Sequence, residues 1–225
     1  MPQAEDSRRA QGKGEEQMNV KLMWVTPHAE EMVAYMARVS NPENQNNVAT
    51  APKLLRYLMN NKHWSPFEMV NVCMEIEVTR DIARQILRHR SFSFQEFSQR
   101  YAEALDMECS EVRLQDEKNR QNSLPTEDRE LQRWWDEMQR SLIAQARGVY
   151  GAALNNGIAK EVARKILPEG LTNSRMYMNG TLRSWMHYVD IRCDEATQKE
   201  HREVADQCKD ILTDLFPSIY GEKNG

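Results

Sequence analysis

No stretch of this sequence approaches the ~20 consecutive apolar residues needed to cross a bilayer, and its first residues lack the hydrophobic core of a secretion signal. The expectation is a soluble, cytoplasmic protein with no membrane partner. The four cysteines, Cys73, Cys109, Cys193 and Cys208, form no C-x-x-C pair and have no histidine at ligand spacing, which argues against a zinc site or a disulfide framework. No metal is expected, and the thiols should stay reduced. An excess of lysine and arginine is also missing: the formal net charge is −4, so a general nucleic-acid binder is disfavoured and any anion site must be local. There is no internal repeat, no low-complexity tract, and neither a P-loop nor a G-x-G-x-x-G element.

What the chain does have is enough apolar material, 40% of 225 residues, to bury a normal core. Residues 1–17 are polar and without apolar periodicity, which predicts a disordered lead-in to one domain over residues 18–225. Val20, Leu22 and Trp24 alternate in a predicted opening strand, Asn19 to Val25, and a helix follows from Ala29 to Val39. Thr50 and Pro52 begin a second helix, with Leu54, Leu55, Leu58 and Met59 facing inward. Val70, Val72, Met74, Ile76 and Val78 alternate with polar residues, giving the clearest strand, 68–78. A further strand is expected at 109–114, and Asp116 to Pro125 reads as a mobile polar connection.

The longest predicted helix runs from Glu127 to Asn156 and is closed by Gly157. Its Leu131, Trp134, Met138, Leu142, Val149 and Ala153 make a near-heptad stripe, read as core, with a subunit contact as the other use. A short helix, Ile158 to Leu167, ends at Pro168, and Met176 to Met178 is read as extended. Thr181 caps a helix whose Leu182, Trp185, Met186 and Val189 point inward, leaving Arg183 and His187 together. The final helix carries Val204, Cys208, Ile211 and Leu215 and ends at Pro217; His28 and His201 receive no role. The fold class implied is α+β, a mixed or antiparallel sheet packed with several helices.

Residues 79–101 hold the densest chemistry. Thr79 can cap a short helix in which Ile82, Ala83, Ile86 and Leu87 recur on one side and Arg80, Arg84 and Arg88 on the other. Three cations on one stripe repel each other, and Arg88, His89 and Arg90 crowd the helix end, where the backbone dipole favours positive charge. Such a cluster suits an anion. The donors Ser98, Gln99 and Arg100, the carboxylate of Glu96 and the rings of Phe92, Phe94, Phe97 and Tyr101 then suit a flat heterocycle bearing a phosphate. A solvated basic helix end is the plainer use of the same charges. A nucleotide- or RNA-binding module without chemistry is the alternative of another class, since bases stack on aromatic and guanidinium planes.

Arg88-His89-Arg90, then seven residues, then Ser98, resembles the signature of the flavin-dependent thymidylate synthases. Further blocks match in family order: Ala37-Arg38-Val39-Ser40, Tyr57-Leu58-Met59, His63-Trp64-Ser65-Pro66-Phe67-Glu68, Ala83-Arg84-Gln85, Glu161-Val162-Ala163-Arg164, Leu167-Pro168 and Leu182-Arg183-Ser184-Trp185 through Arg192. The resemblance implies reductive methylation of dUMP to dTMP, with methylenetetrahydrofolate as carbon donor and NADPH, through FAD, as hydride source. It also implies a homotetramer with shared sites.

By the same resemblance, dUMP is held by Gln85, Arg88, Glu96, Ser98, Gln99, Arg100, Arg164 and Arg192, and FAD by Ser40, Ser65, Arg88, His89, Arg90, Glu96, Thr181, Arg183 and His187. Arg192 matches the activating arginine, and His63 the histidine near flavin and folate. On spacing alone Arg192 would instead pair with Asp194. For Ser98, ringed by guanidinium groups and with no histidine base beside it in sequence, a phosphate hydrogen bond is preferred to a nucleophilic role. The chain departs from the common pattern at Gln95, Gln99, Thr181 and Ala196.

Overall fold

A computed structural model describes residues 19–221, so the lead-in expected over 1–17 lies outside the described residues. Four strands, β1 (Asn19–Val25), β2 (Asn71–Thr79), β3 (Phe92–Glu96) and β6 (Asn173–Thr181), form one antiparallel sheet in the order β1-β2-β6-β3. A separate hairpin pairs β4 (Arg113–Gln115) with β5 (Ser123–Pro125). The helices are α1 (Ala29–Ala37), α2 (Ala51–Asn60), α3 (Arg80–Ile86), α4 (Arg129–Asn155), α5 (Lys160–Ala163), α6 (Leu182–Arg192), α7 (Lys199–Leu215) and α8 (Pro217–Tyr220). The α+β expectation holds, with the sheet wholly antiparallel.

Alternation decides which face of the sheet is covered. Val72, Met74, Ile76 and Val78 of β2 and Met176 and Met178 of β6 are buried, while Glu77 and Arg175 on the other face are exposed. Helices pack on the apolar face, and Trp185, Tyr188, Leu55, Phe67 and Phe216 fill the space between. Each such side chain contributes about 1.5–3 kcal/mol by leaving water, so this single cluster dominates the fold's stability. The indole of Trp185 finds its partner inside, donating to the Val72 carbonyl at 3.0 Å.

The two central strands feed helices through matching junctions. Thr79 and Thr181 both hold extended backbone, with φ −67° at each and ψ of 154° and 155°, just before α3 and α6. Thr181 caps its helix, accepting from the Ser184 N–H at 3.2 Å, whereas Thr79 donates its hydroxyl to Asp81 at 2.6 Å. Because Thr79 pairs with Asn173 and Asn71 with Thr181, the two helices leave from opposite ends of the sheet. α3 leads the chain back to Phe92, which pairs with Gly180, so Arg88-His89-Arg90 is delivered to the α6 end.

Several expectations shift. The opening strand is irregular between Leu22 and Trp24, so Trp24 lies outward, 48% exposed, and Val25 takes the inner position. Asp116 to Pro125 is no structureless connection: the Asp116 carboxylate accepts from the N–H groups of Lys118 and Asn119 and from the Asn122 amide, tying the turn of the hairpin. β3 lies where no strand was expected. Gly157, at φ +77°, ends α4 as its sequence position indicated.

The main correction concerns α4. Its Trp134, Met138, Leu142 and Val149 are exposed, and the residues it buries are Gln139, Ile143, Ala146 and Tyr150. Ile143 and Ala146 join Met107 in a small second core, and Gln139 bonds both N–H and carbonyl of Ser110. The helix is therefore fixed by its less apolar side, and the stripe read as core faces outward in the single chain. Ile158, Val162 and Ile166 on the following segment are exposed as well. Among the described residues, no helix is long and apolar enough to cross a membrane.

Candidate functional site

The structure gathers the expected residues at three places. The first lies where the end of α3 meets α6 and α7. Arg192, the last residue of α6, donates its Nε–H to Nε2 of His89 at 2.9 Å. The pairing with Asp194 suggested by spacing does not form, because Asp194 accepts from the Ala196 N–H at 2.8 Å and turns the chain toward α7. His89 is wedged edgewise on Tyr188, ring centroids 5.0 Å apart, and on Phe92 at 6.5 Å. Burial, reinforced by Arg192, His187 and Arg88, pushes His89 down to about 4, so at neutral pH it is an uncharged acceptor. Arg88 and Arg90 beside it are exposed and make no ion pair among the described residues.

The expected stripe of three free cations is not what forms. Arg80 pairs with Glu96 at 3.3 Å and Arg84 with Glu169 at 2.5 Å, which leaves Arg88 as the uncompensated member. Gln85, on the same helix, donates to Gln198 at 2.7 Å.

The second place is the far end of β3. Glu96 accepts from Ser174 Oγ at 2.9 Å in addition to its pairing with Arg80. Ser98 follows, accepting weakly from the Arg100 N–H at 3.4 Å, and Arg100 reaches Glu161 at 3.3 Å. That contact brings α5 and half-buried Arg164 alongside. Gln99 is 4% exposed with its amide nitrogen unpartnered. Phe92 and Glu96 are four residues apart on one strand, so this end lies about 13 Å from the Gly180 end.

The third place is a cleft of about 1010 Å³ lined by Trp64, Glu68, Ser91, Thr181, Arg183, Ser184 and His187. Ser184 Oγ donates to the Ser91 carbonyl at 3.2 Å, closing the junction between β3 and α6. Arg183 pairs with Glu68, and Arg183 and His187 both line the cleft, as their spacing implied. Ser65 begins the 3₁₀ turn that carries Glu68. His63, just before it, is exposed and stands edgewise to Tyr57, centroids 6.0 Å apart. Ser40 is exposed on a loop held by buried Arg38, whose guanidinium donates to the Asn47 carbonyl at 2.6 Å and the Thr50 hydroxyl at 2.7 Å.

In the single chain these three places do not merge into one closed pocket. A larger hollow, about 1360 Å³ between the 107–113 segment, α4 and α7, has none of the expected site residues in its lining. Among the described residues no group of three or more His, Cys, Asp or Glu side chains converges on a metal position. Sequence reasoning passed over Tyr188 and His201, which are fully buried behind His89. The signal for His201 was present: it precedes Val204 by three residues and so continues the Val204, Cys208, Ile211 and Leu215 stripe.

The sequence model of one protein family, described as "Thymidylate synthase complementing protein", matches residues 21–218. The probable flavin-dependent thymidylate synthase of Paramecium bursaria Chlorella virus 1 is 50% identical over 210 residues, covering 90% of this chain and 97% of its own. A flavin-dependent thymidylate synthase of Synechocystis is 51% identical over 190 residues, 84% of this chain and 87% of its own. Among solved structures, the UMP/dUMP methylase PolB of Streptomyces cacaoi, bound with 5-Br dUMP, superposes with TM-score 0.77 at 26% identity, covering 91% of this chain and 93% of that one.

Proposed function

This chain belongs to the flavin-dependent thymidylate synthase family, and on that premise we propose that it converts dUMP to dTMP with methylenetetrahydrofolate as carbon donor and NADPH as the source of reducing equivalents. Residues 18–225 act in this reading as one cytoplasmic domain. The observation that carries it is the Arg192–His89 bond, which joins the Arg88-His89-Arg90 motif to the activating arginine across 103 residues of sequence. Arg192 forms no ion pair among the described residues, so its full charge is free to face an electron-rich ring.

The residues fit the groups they would have to hold. The cleft offers Trp64 and Met186 to a flat ring system and Arg183, His187, Ser91 and Ser184 to its polar edge and phosphates. A bound FAD would be held there by Thr181, Arg183 and His187, with Ser65, Ser40, His89, Arg90, Arg88 and Glu96 as the remaining contacts. FAD, once reduced by NADPH, supplies the hydride that turns a transferred methylene into a methyl group.

The chain's own work is placement and charge. Arg88, Ser98, Arg100 and Arg164 grip the phosphate of dUMP, guanidinium forks and a hydroxyl being matched to its oxygens. Gln85, Gln99 and Glu96 hold the nucleoside. Arg192 stabilises negative charge developing on the uracil ring, an oxyanion-hole role. His63, exposed beside Tyr57, faces the folate.

Because the far end of β3 lies about 13 Å from the end that carries His89 and the cleft, the working unit is a homotetramer in which neighbouring copies complete each site. The exposed Trp134, Met138, Leu142 and Val149 face supports this, since solvent-exposed apolar stripes of that kind mark contacts. An RNA-binding module is not favoured, given the net charge of −4 and the enzyme relatives. The test is direct: folded, flavin-loaded protein given NADPH, methylenetetrahydrofolate and dUMP should form dTMP, and failure to form it refutes the reading.

A further inference from the structure

Behind His89 lies a polar pair in a position that packing alone would fill with apolar side chains. Tyr188 and His201 are both 0% exposed, surrounded by the core that includes Trp185, Val204 and Cys208. His201 Nε2 and the Tyr188 hydroxyl lie 3.2 Å apart, and the two rings are inclined at 41° with centroids 5.8 Å apart. The other ring nitrogen of His201, Nδ1, is buried with no partner. A buried imidazole that satisfies only one of its two nitrogens costs stability wherever it sits, so the fold retains the pair against its packing interest.

Its neighbours point to a use. The His89 ring stands edgewise on both members, 5.0 Å from Tyr188 at 78° and 6.2 Å from His201 at 87°. With Phe92 edgewise as well, at 83° and 6.5 Å, three rings border His89, Tyr188 most closely, and they limit how far its ring can turn. Nε2 of that fixed ring is the atom that receives the Arg192 Nε–H at 2.9 Å. A carboxylate would hold a guanidinium as well but would cancel its charge. A neutral imidazole aims Arg192 and leaves the charge whole. Burial keeps both histidines uncharged, pushing His201 down to about 3.

We propose that the Tyr188–His201 pair is a positioning device for Arg192: it locks the plane of the His89 ring, and that ring sets the direction in which the guanidinium points. The functional half of this inference rests on the role given to Arg192 above, and the geometric half does not. Neither Tyr188 nor His201 touches substrate, so both are positioning residues and their loss acts through orientation.

The test uses Tyr188→Phe, His201→Gln and the double variant Tyr188→Phe/His201→Leu, with bound-flavin absorbance confirming a loaded fold in each. Removing one partner strands the other, while replacing both with apolar groups relieves that penalty. The expected result is a roughly tenfold loss of kcat in Tyr188→Phe with the KM for dUMP little changed, the signature of an interaction made in the transition state. His201→Gln, which keeps a group able to bond the tyrosine hydroxyl, should retain most of the activity. The double variant should regain thermal stability without regaining kcat. In parallel, the Arg192 Nε–H signal in ¹⁵N-resolved NMR should exchange faster with water in Tyr188→Phe than in the wild type.

A kcat that returns together with stability in the double variant would mean the pair is merely structural. An unchanged kcat and an unchanged Arg192 signal in Tyr188→Phe would overturn the inference outright. Should the wild type itself form no dTMP, the functional reading falls, and the NMR comparison still decides whether the pair orients Arg192.

Discussion

A guanidinium held by an imidazole is the residue-scale arrangement on which the proposed chemistry depends. Arg192 cannot lose its proton, and His89, down to about 4, cannot compete for one near neutrality, so the bond keeps one polarity across the working pH range. Arg192→Ala should leave flavin bound and lower turnover about 100- to 1000-fold, the usual loss when a donor to developing negative charge is removed. Turnover within a few-fold of wild type would take Arg192 out of the mechanism. The same two histidines set an acid limit on the fold. Both have folded values below the unfolded 6.5, so the unfolded chain binds more protons as pH falls, and their contribution is complete above pH 6.5. Stability should decline as pH drops from 6.5 toward about 4 for His89 and about 3 for His201. Thermal midpoints measured across that range should fall more steeply for the wild type than for His201→Gln.

At the scale of elements, the narrow point is the seam between β3 and β6. A Cβ on Gly180 would lie inside contact distance of the Phe92 ring directly across the ladder, so the glycine is what lets β3 dock at the end carrying His89. Gly180→Ala should cost about 1–3 kcal/mol, the range for overpacking, and should weaken flavin binding because Phe92 must move against His89 and Trp185. Denaturant unfolding with flavin titration reads both, and a neutral substitution would show that the seam is loose. β3 escaped sequence reading because its alternation, Phe92 and Phe94 against Ser93 and Gln95, is only five residues long and sits in a stretch rich in candidate ligands. β2 was legible because Val72, Met74, Ile76 and Val78 recur at every second position, and α6 because Thr181 caps it and Leu182, Trp185, Met186 and Val189 keep helical period. His201 was legible as buried but not as functional, since its partner Tyr188 lies thirteen residues away on another helix.

On the scale of the whole molecule, α4 turns its more apolar side outward. Hydrophobicity alone selected Trp134, Met138, Leu142 and Val149 for the core, and it selected wrongly because an apolar stripe at helical spacing does not say which side of the helix the chain's own core covers. If that surface joins the copies of a tetramer, Leu142→Glu should dissociate it in sedimentation experiments while leaving the main core intact, because Leu142 is exposed and belongs to neither buried cluster. Turnover should fall with assembly if, as proposed, neighbouring copies complete the places that hold site residues. A fully assembled, active Leu142→Glu protein would show that the surface serves something else.

If side chains from α3, β3, α6 and the segments that follow α3, β3 and α5 seat a uridylate against a bound flavin, one titration will show it. Adding dUMP to the flavin-loaded protein, with no folate or NADPH present, should change the visible absorbance of the flavin and saturate, because the uracil ring then lies in contact with it. A flavin spectrum that stays the same while dUMP is bound would place the two in separate sites and contradict the account.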